Sequence, residues 1–470
     1  MSAASDFRVW VFILAAALCL VRPTRADADD ARDAVASLRV RARVVVDREA
    51  WKWNWASWDQ EKIVTFGPFQ YTPYWDADRV FVLARRDLRT GEVQTLRLPQ
   101  FRLSSDDRHR NTCLGVSPAD GRLHLSWDHH NNPLRYAKSR AGFLTDPPSR
   151  LSVDDIEPGA PMLPDAKLEA RVTYPRFLND REGTLLLVYR IGGSGNGDLF
   201  LHRYEPADAS WSRVGMLFSS RGTYPLWRNS TSRCAYLHDL VFDREGRLHA
   251  SWVYRETGAS WASNHDLHYA TSDDQGVTWH NNTGRPIADL AQGDPIALDD
   301  PGIVVREIPV YSWLMNAGCL ALDSKSRPHV VTFRSRIEHK PERLQHGPPP
   351  EIEKEIRFVH FWRADDGTWH GGEPIEPGPA RRSRVDVVFD RADNLYFYYP
   401  SEAGFRYFTA PARDRWQRWS GPLVLTGPEL TGRDASKHDR RRWSEERILS
   451  FTAKAAPQGF AIVDVEMAEE

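Results

Sequence analysis

Cysteine is scarce in this 470-residue chain: only 4 occur, and Cys19 lies in an N-terminal apolar stretch. The other three, Cys113, Cys234 and Cys319, are too few for a disulfide scaffold, so the fold must rest on its core. One bridge, Cys113 to Cys234, is compatible with an oxidising compartment. An excess of either charge is also missing, with 62 Lys+Arg against 64 Asp+Glu and a net charge of -2. A general nucleic-acid binder needs surplus cations to neutralise phosphates, and that class is set aside. No HExxH helix, G-x-S-x-G elbow, P-loop or dinucleotide fingerprint is present. Those absences weigh against zincin, esterase, nucleotide-dependent and hydride-transfer chemistry.

Long apolar runs are equally rare. The exception extends from Val9 to Val21, after Arg8 and ahead of Thr24-Arg25-Ala26. It is shorter than the roughly 20 residues that span a bilayer as a helix, and small residues flank Arg25 as at a cleavage site. Residues 1–26 are therefore expected to be a signal peptide, and the mature protein to be secreted or periplasmic. No membrane association is expected after cleavage.

What the chain does have is aromatic side chains, 18 Trp, 15 Tyr and 20 Phe, and short alternating segments after acidic or glycine turns. Asp120-Gly121-Arg122-Leu123-His124-Leu125-Ser126-Trp127 sets the pattern. Related segments are centred near residues 82, 186, 249, 329, 396 and 449. A second element follows several of them, as in Leu134-Arg135-Tyr136, Leu201-His202-Arg203-Tyr204, Leu267-His268-Tyr269 and Phe405-Arg406-Tyr407, and Trp211, Trp279 and Trp416 trail three of these. Seven occurrences, each with room for four strands, predict an all-β fold: residues 27–470 as a single seven-bladed β-propeller with mostly four-stranded antiparallel blades. The competing architecture is a β-sandwich or a β-helix, the latter needing shorter, more regular coils than these intervals allow. Ser272-Asp273-Asp274-Gln275-Gly276-Val277-Thr278-Trp279 has the form of an Asp-box hairpin, with a weaker echo at Asp365-Asp366-Gly367-Thr368-Trp369. This motif is structural and names no reaction.

The densest polar stretches are Asp106-Asp107-Arg108-His109-Arg110-Asn111 and Trp127-Asp128-His129-His130-Asn131-Asn132. After them come Thr173-Tyr174-Pro175-Arg176, Tyr189-Arg190 and Arg233-Cys234-Ala235-Tyr236-Leu237-His238-Asp239. His124, His249 and His329 recur at one repeat phase, which suits packing with a hydrogen bond. His109, His129 and His130 do not recur. Successive strand residues face opposite ways, so one of His129 and His130 is expected in a site. His109, His129, His130, His238 and His265 are candidate Zn ligands, and Asp299-Asp300 is a candidate Ca²⁺ loop, each in a structural role.

Gly121 through His130, the continuation Asn132-Pro133-Leu134-Arg135-Tyr136-Ala137-Lys138-Ser139, the stretch Thr173-Tyr174-Pro175-Arg176-Phe177 and the run from Tyr189 to Gly197 resemble the sialidase-repeat propellers that include the ulvan lyases. The resemblance implies a polysaccharide lyase that cleaves an acidic, often sulfated polysaccharide by β-elimination beside a uronic acid, with no cofactor required. It places the catalytic pair on Tyr174 and His109, and uronate binding on Arg190 and His130, with His129 the alternative in a shifted register. Tyr236 and Asn111 complete the expected substrate-binding set. Removing the C5 proton drives charge onto the carboxylate, which Arg190 can receive as a bidentate fork. Tyr174 is expected to act as base, its phenolate favoured by a nearby cation, and His109 as acid, with the reverse order as alternative. A sialidase-type hydrolase and a non-catalytic sugar-binding propeller are the competing functions.

Overall fold

The computed structural model describes residues 35–56, 61–158, 170–258, 260–343, 347–379 and 383–468. The leader expected at residues 1–26 lies outside them. Almost all regular structure is strand. No helix among the described residues is long and apolar enough to cross a membrane.

The repeated turn-then-strand pattern has a local cause. Asp180, Asp243, Asp323 and Asp390 each end a strand and use Oδ1 to accept the N–H four residues on, from Thr184 at 2.7 Å, Arg247 at 2.9 Å, Arg327 at 2.9 Å and Asn394 at 2.8 Å. Each turn thereby reverses the chain into the next apolar strand. That strand pairs antiparallel with the second repeated element, as in Leu185–Gly193 with Asn196–Glu205 and Leu395–Ser401 with Gly404–Ala410. The trailing tryptophans Trp211, Trp279 and Trp416 are buried between strands.

The Asp-box hairpin forms as its residues dictate. Asp274 accepts the Thr278 N–H at 2.8 Å and the Thr278 hydroxyl at 2.7 Å, and Trp279 Nε1 donates to the Gly276 carbonyl at 2.9 Å. Gly276 has φ +89°. In its echo Asp366 accepts the Thr368 N–H, two residues on, at 2.9 Å, and Gly367 again has a positive φ.

The all-β class holds, but the expected seven separate four-stranded blades of a propeller do not. Among the described residues the strands form six sheets, five of four strands and one of twelve. The large sheet is continuous because Gly197 bridges Cys234 in parallel, and Val172–Asn179 takes up His130–Asn132 on its other side. Within its own hairpin Gly197 is closely packed: a Cβ there would meet the Ile191 carbonyl oxygen at 2.9 Å. At the chain ends, Ser37–Asp47 pairs antiparallel with Gly459–Ala468, so the first described strand completes the last sheet.

No disulfide joins the described cysteines. Cys113, expected as a partner of Cys234, instead donates its thiol to the Pro175 carbonyl at 3.3 Å, while Cys234 Sγ accepts the Gly195 N–H at 3.1 Å. The recurring histidines are internal: His124 and His249 each bond a tyrosine hydroxyl, Tyr136 and Tyr269, at 2.7 Å, and His329 bonds His360 at 3.0 Å.

Candidate active site

Three neighbouring strands, His130–Asn132, Val172–Asn179 and Leu185–Gly193, set the register of the site. Thr173 lies opposite His130 on one side and opposite Arg190 on the other. Paired residues share a face, so His130 and Arg190 flank this point together. A bulge between Thr173 and Arg176 breaks the ladder at Tyr174. Pro175 offers no N–H to that ladder, which suits a bulge. Tyr174 itself has φ +55°, a left-handed backbone that costs a tyrosine energy. Cys113, through Pro175, holds the strained turn from behind.

The His109 loop is built around Asp107. One carboxylate oxygen accepts the His109 backbone N–H at 3.0 Å and its Nδ1–H at 2.6 Å, and the other accepts Nδ1–H of His130 at 2.5 Å. The two imidazoles lie 4.3 Å apart, and His109 is 6.3 Å from the Tyr174 ring. Burial raises the Asp107 carboxyl, yet the two imidazole bonds outweigh it and hold the group well below the usual carboxylate range. Burial also lowers His109 from its ordinary value, against the opposing pull of Asp107. A neutral imidazole donating from Nδ1 keeps Nε2 as its acceptor nitrogen.

Arg190 packs against two phenols. Its guanidinium carbon is 5.1 Å from the Tyr174 ring centre and 5.5 Å from that of Tyr236, and the two phenol rings are 6.3 Å apart. A gap of about 20 Å³ between these side chains has room for one water. The phenolate expected at Tyr174 is not favoured. Burial pushes its phenol upward, Tyr236 adds to that, and Arg190 offsets only part. The group is a proton donor at rest. Arg190 is 3% exposed, so its fork lies beneath the rings rather than open to solvent.

The structure thus brings together Tyr174, His109, Arg190, His130 and Tyr236. It does not bring in His129 or Asn111. His129 is buried facing the other way, accepting the Arg135 N–H at 3.1 Å on Nε2, and burial lowers it to about 3. Asn111 spends its amide on the Ala56 and Arg108 carbonyls at 2.7 and 2.9 Å, and its oxygen on Lys62 at 2.8 Å. These bonds brace the His109 loop. Asp107 was visible in the polar stretch, but its role as the link between two histidines depends on His130 arriving from another strand. Arg255 carries no sequence signal of its own, and Ser194 lies in the Tyr189 to Gly197 run with no role that the sequence assigns. The Arg255 guanidinium carbon lies 4.6 Å from the centre of the Tyr236 ring.

Among the described residues, Asp107, His109 and His130 form a group whose ligand atoms all lie within 4.8 Å of one another, a donor set that could hold a metal ion. The other candidate Zn ligands stand apart: His238 bonds Ser251 at 2.9 Å, and His265 sits between Glu256 and Asp266. Asp300 accepts the Ala297 N–H at 2.7 Å, closing its own loop. Cavities of about 890 Å³ beside Asp243 and Arg363, and 810 Å³ beside Cys319 and His438, contain none of the clustered residues.

Comparison with known proteins places the chain. Residues 69–374 match the family described as BNR repeat-containing family member, and the chain belongs to that family. Among curated relatives, the long isoform of ulvan lyase from Alteromonas sp. (strain LOR) is 28% identical over 376 residues, covering 68% of this chain and 37% of the relative. The long isoform from Pseudoalteromonas sp. (strain PLSV) is 25% identical over 335 residues, covering 62% and 33%. The chain thus spans only about a third of the length of these relatives. Among solved structures, the polysaccharide lyase Uly1 aligns with a TM-score of 0.69 at 14% identity, covering 91% of this chain and 99% of that one. An ulvan lyase of family PL25 aligns with a TM-score of 0.64 at 14% identity, covering 90% and 96%. These likenesses are of fold.

Proposed function

We propose that this protein is a polysaccharide lyase that cleaves an ulvan-like acidic polysaccharide by β-elimination next to a uronic acid. The observation that carries the proposal is the convergence of Asp107-supported His109 with Tyr174, Arg190 and His130, drawn from separate strands and loops. β-Elimination needs a base for the proton on C5, a cationic field for the charge that develops on the carboxylate, and a proton for the oxygen leaving C4.

In this reading His109, oriented by Asp107, takes the C5 proton on Nε2. Tyr174 gives its proton to the leaving oxygen. This is the reverse of the order expected from the sequence, and the upward push on the Tyr174 phenol supports it: a strongly basic leaving alkoxide is well matched to a weak acid. Arg190 supplies positive charge from beneath Tyr174 and Tyr236, and His130 bonds the other oxygen of the carboxylate that orients His109, fixing that carboxylate in place. Asp107, His109 and His130 are also a donor set for Zn²⁺, and an ion held there would take His109 out of catalysis. The protein would meet such a polymer outside the cytoplasm, which agrees with a cleaved leader at residues 1–26; N-terminal sequencing of the mature protein tests that part.

The experiment is a panel of uronate polysaccharides led by ulvan, followed by ultraviolet absorbance and reducing ends. A lyase produces both signals, because each cleavage leaves a conjugated unsaturated uronate. Reducing ends without absorbance would mean hydrolysis, and neither signal would mean binding alone.

A further inference from the structure

Arg190 and Arg255 are each 3% exposed, and the acceptors they meet are uncharged. Arg190 Nε donates to the Gly192 carbonyl at 3.3 Å. Arg255 donates to Asn264 Oδ1 at 2.8 Å, Ser194 Oγ at 3.2 Å and the Tyr236 hydroxyl at 3.3 Å. Among the described residues neither makes an ion pair, and Arg255 Nη2 is buried without a hydrogen-bond partner. By contrast, buried Arg233 is paired with Glu256 at 2.8 Å. Two neighbouring buried cations without a counter-ion are costly, so a fold that retains them gains when an anion arrives.

The proton inventory shows where that anion meets the protein. A guanidinium only donates, so Arg255 occupies an acceptor position on both Ser194 and Tyr236. The two hydroxyls bond each other at 3.1 Å. One O–H is used in that bond and one remains. Tyr236 is buried, whereas Ser194 is half-exposed on the hairpin between Leu185–Gly193 and Asn196–Glu205. With the Tyr236 hydroxyl donating to Ser194, Ser194 has both acceptor positions filled and presents its own hydrogen outward.

Resting on the lyase reading above, we propose that Ser194 contacts the substrate, donating its hydroxyl to the uronate carboxylate. Arg255 is the positioning residue that orients it and, with Arg190, sets the positive field behind it. The contact selects an anionic sugar over its neutral counterpart.

The test is calorimetric binding of a glucuronate-containing oligosaccharide and of the same oligosaccharide with its carboxyl groups reduced to alcohols. Full-length wild type, S194A, S194T, R255M and R255K are compared, with thermal melting of each. Wild type prefers the uronate form. S194A loses about tenfold of that preference, the scale of one hydrogen bond to a charged group, and S194T restores it. R255M shows the same loss without touching the ligand, and R255K recovers part of it. Wild-type preference in S194A, or no preference in wild type, overturns the assignment. Should R255M fail to fold, S194A and S194T still decide, because Ser194 is half-exposed. A wild type that prefers uronate yet yields no unsaturated product removes the lyase reading and leaves the role of Ser194 standing. Cleavage with an unchanged preference in S194A does the opposite.

Discussion

The Arg190 guanidinium carbon lies 5.1 Å from the centre of the Tyr174 ring, at a point where the Tyr174 backbone is held at φ +55°. The cation is therefore set against a residue whose position the strand pairing alone would not produce. Tyr174→Phe keeps the ring, the packing on Arg190 and the bulge, and removes only the proton donor. Its kcat is expected to fall by about 10²–10⁴, with KM changed little. Steady-state kinetics on ulvan check this, and near-normal turnover would place the acid elsewhere. Arg190→Ala is expected to lower binding and rate together.

Asp107 accepts from two imidazoles at once, at 2.6 and 2.5 Å. Asparagine has one acceptor oxygen and can serve only one of them. Asp107→Asn should lower kcat by about 10² or more while the melting temperature stays close to wild type. Equal loss of activity and fold would reduce Asp107 to a purely structural brace.

The same three side chains compete between catalysis and metal binding. Added Zn²⁺ is expected to inhibit turnover by occupying His109 and His130, and a chelator to restore it. His130→Ala weakens the inhibition. Activity that needs Zn²⁺ and is abolished by the chelator would contradict this use of His109.

Buried histidines make the fold acid-sensitive. Burial lowers His129, His202, His238 and His268 to about 3 each, whereas an unfolded histidine takes its proton near 6.5. Between those values the unfolded chain binds more protons, so stability is lost as pH falls through this window. Each such histidine contributes about 1.4 kcal/mol per pH unit. Denaturant melts at pH 7, 6, 5 and 4 measure this. Stability that stays flat down to pH 4 would show that these side chains are not buried in their neutral form.

Gly276 in the Asp-box turn has a positive φ, and a Cβ there would lie 2.4 Å from Leu201 Cδ2. Gly276→Ala combines backbone strain with overpacking and is expected to destabilise by about 2–4 kcal/mol. Thermal melting reads it, and an unchanged transition would show that the turn relaxes freely.

The parts of this molecule written in local sequence were legible. Aspartate turns, alternating strands and the Asp box depend on residues within a few positions of each other, and each forms where the pattern put it. What depends on distant pairing was not. The merging of strands through Gly197 and Cys234 turns seven expected blades into six sheets, and nothing near Gly197 announces its partner. Strand alternation showed that His129 and His130 must diverge, but only the pairing of His130 with Thr173 shows which one joins Tyr174. The bracing bonds of Asn111 could not be read from its neighbours, because its partners, Lys62 and the Ala56 carbonyl, lie some fifty residues earlier. Arg255 and Ser194 gain meaning only through Tyr236. The state of Tyr174 turned on burial, which outweighs the visible arginine.

The most direct measurement is ultraviolet absorbance during incubation of the purified protein with ulvan, beside the Tyr174→Phe variant. The account predicts a steady rise in unsaturated product for the wild type, matched by new reducing ends, and almost none for the variant. New reducing ends with no rise in absorbance, or equal rises from both proteins, would contradict it.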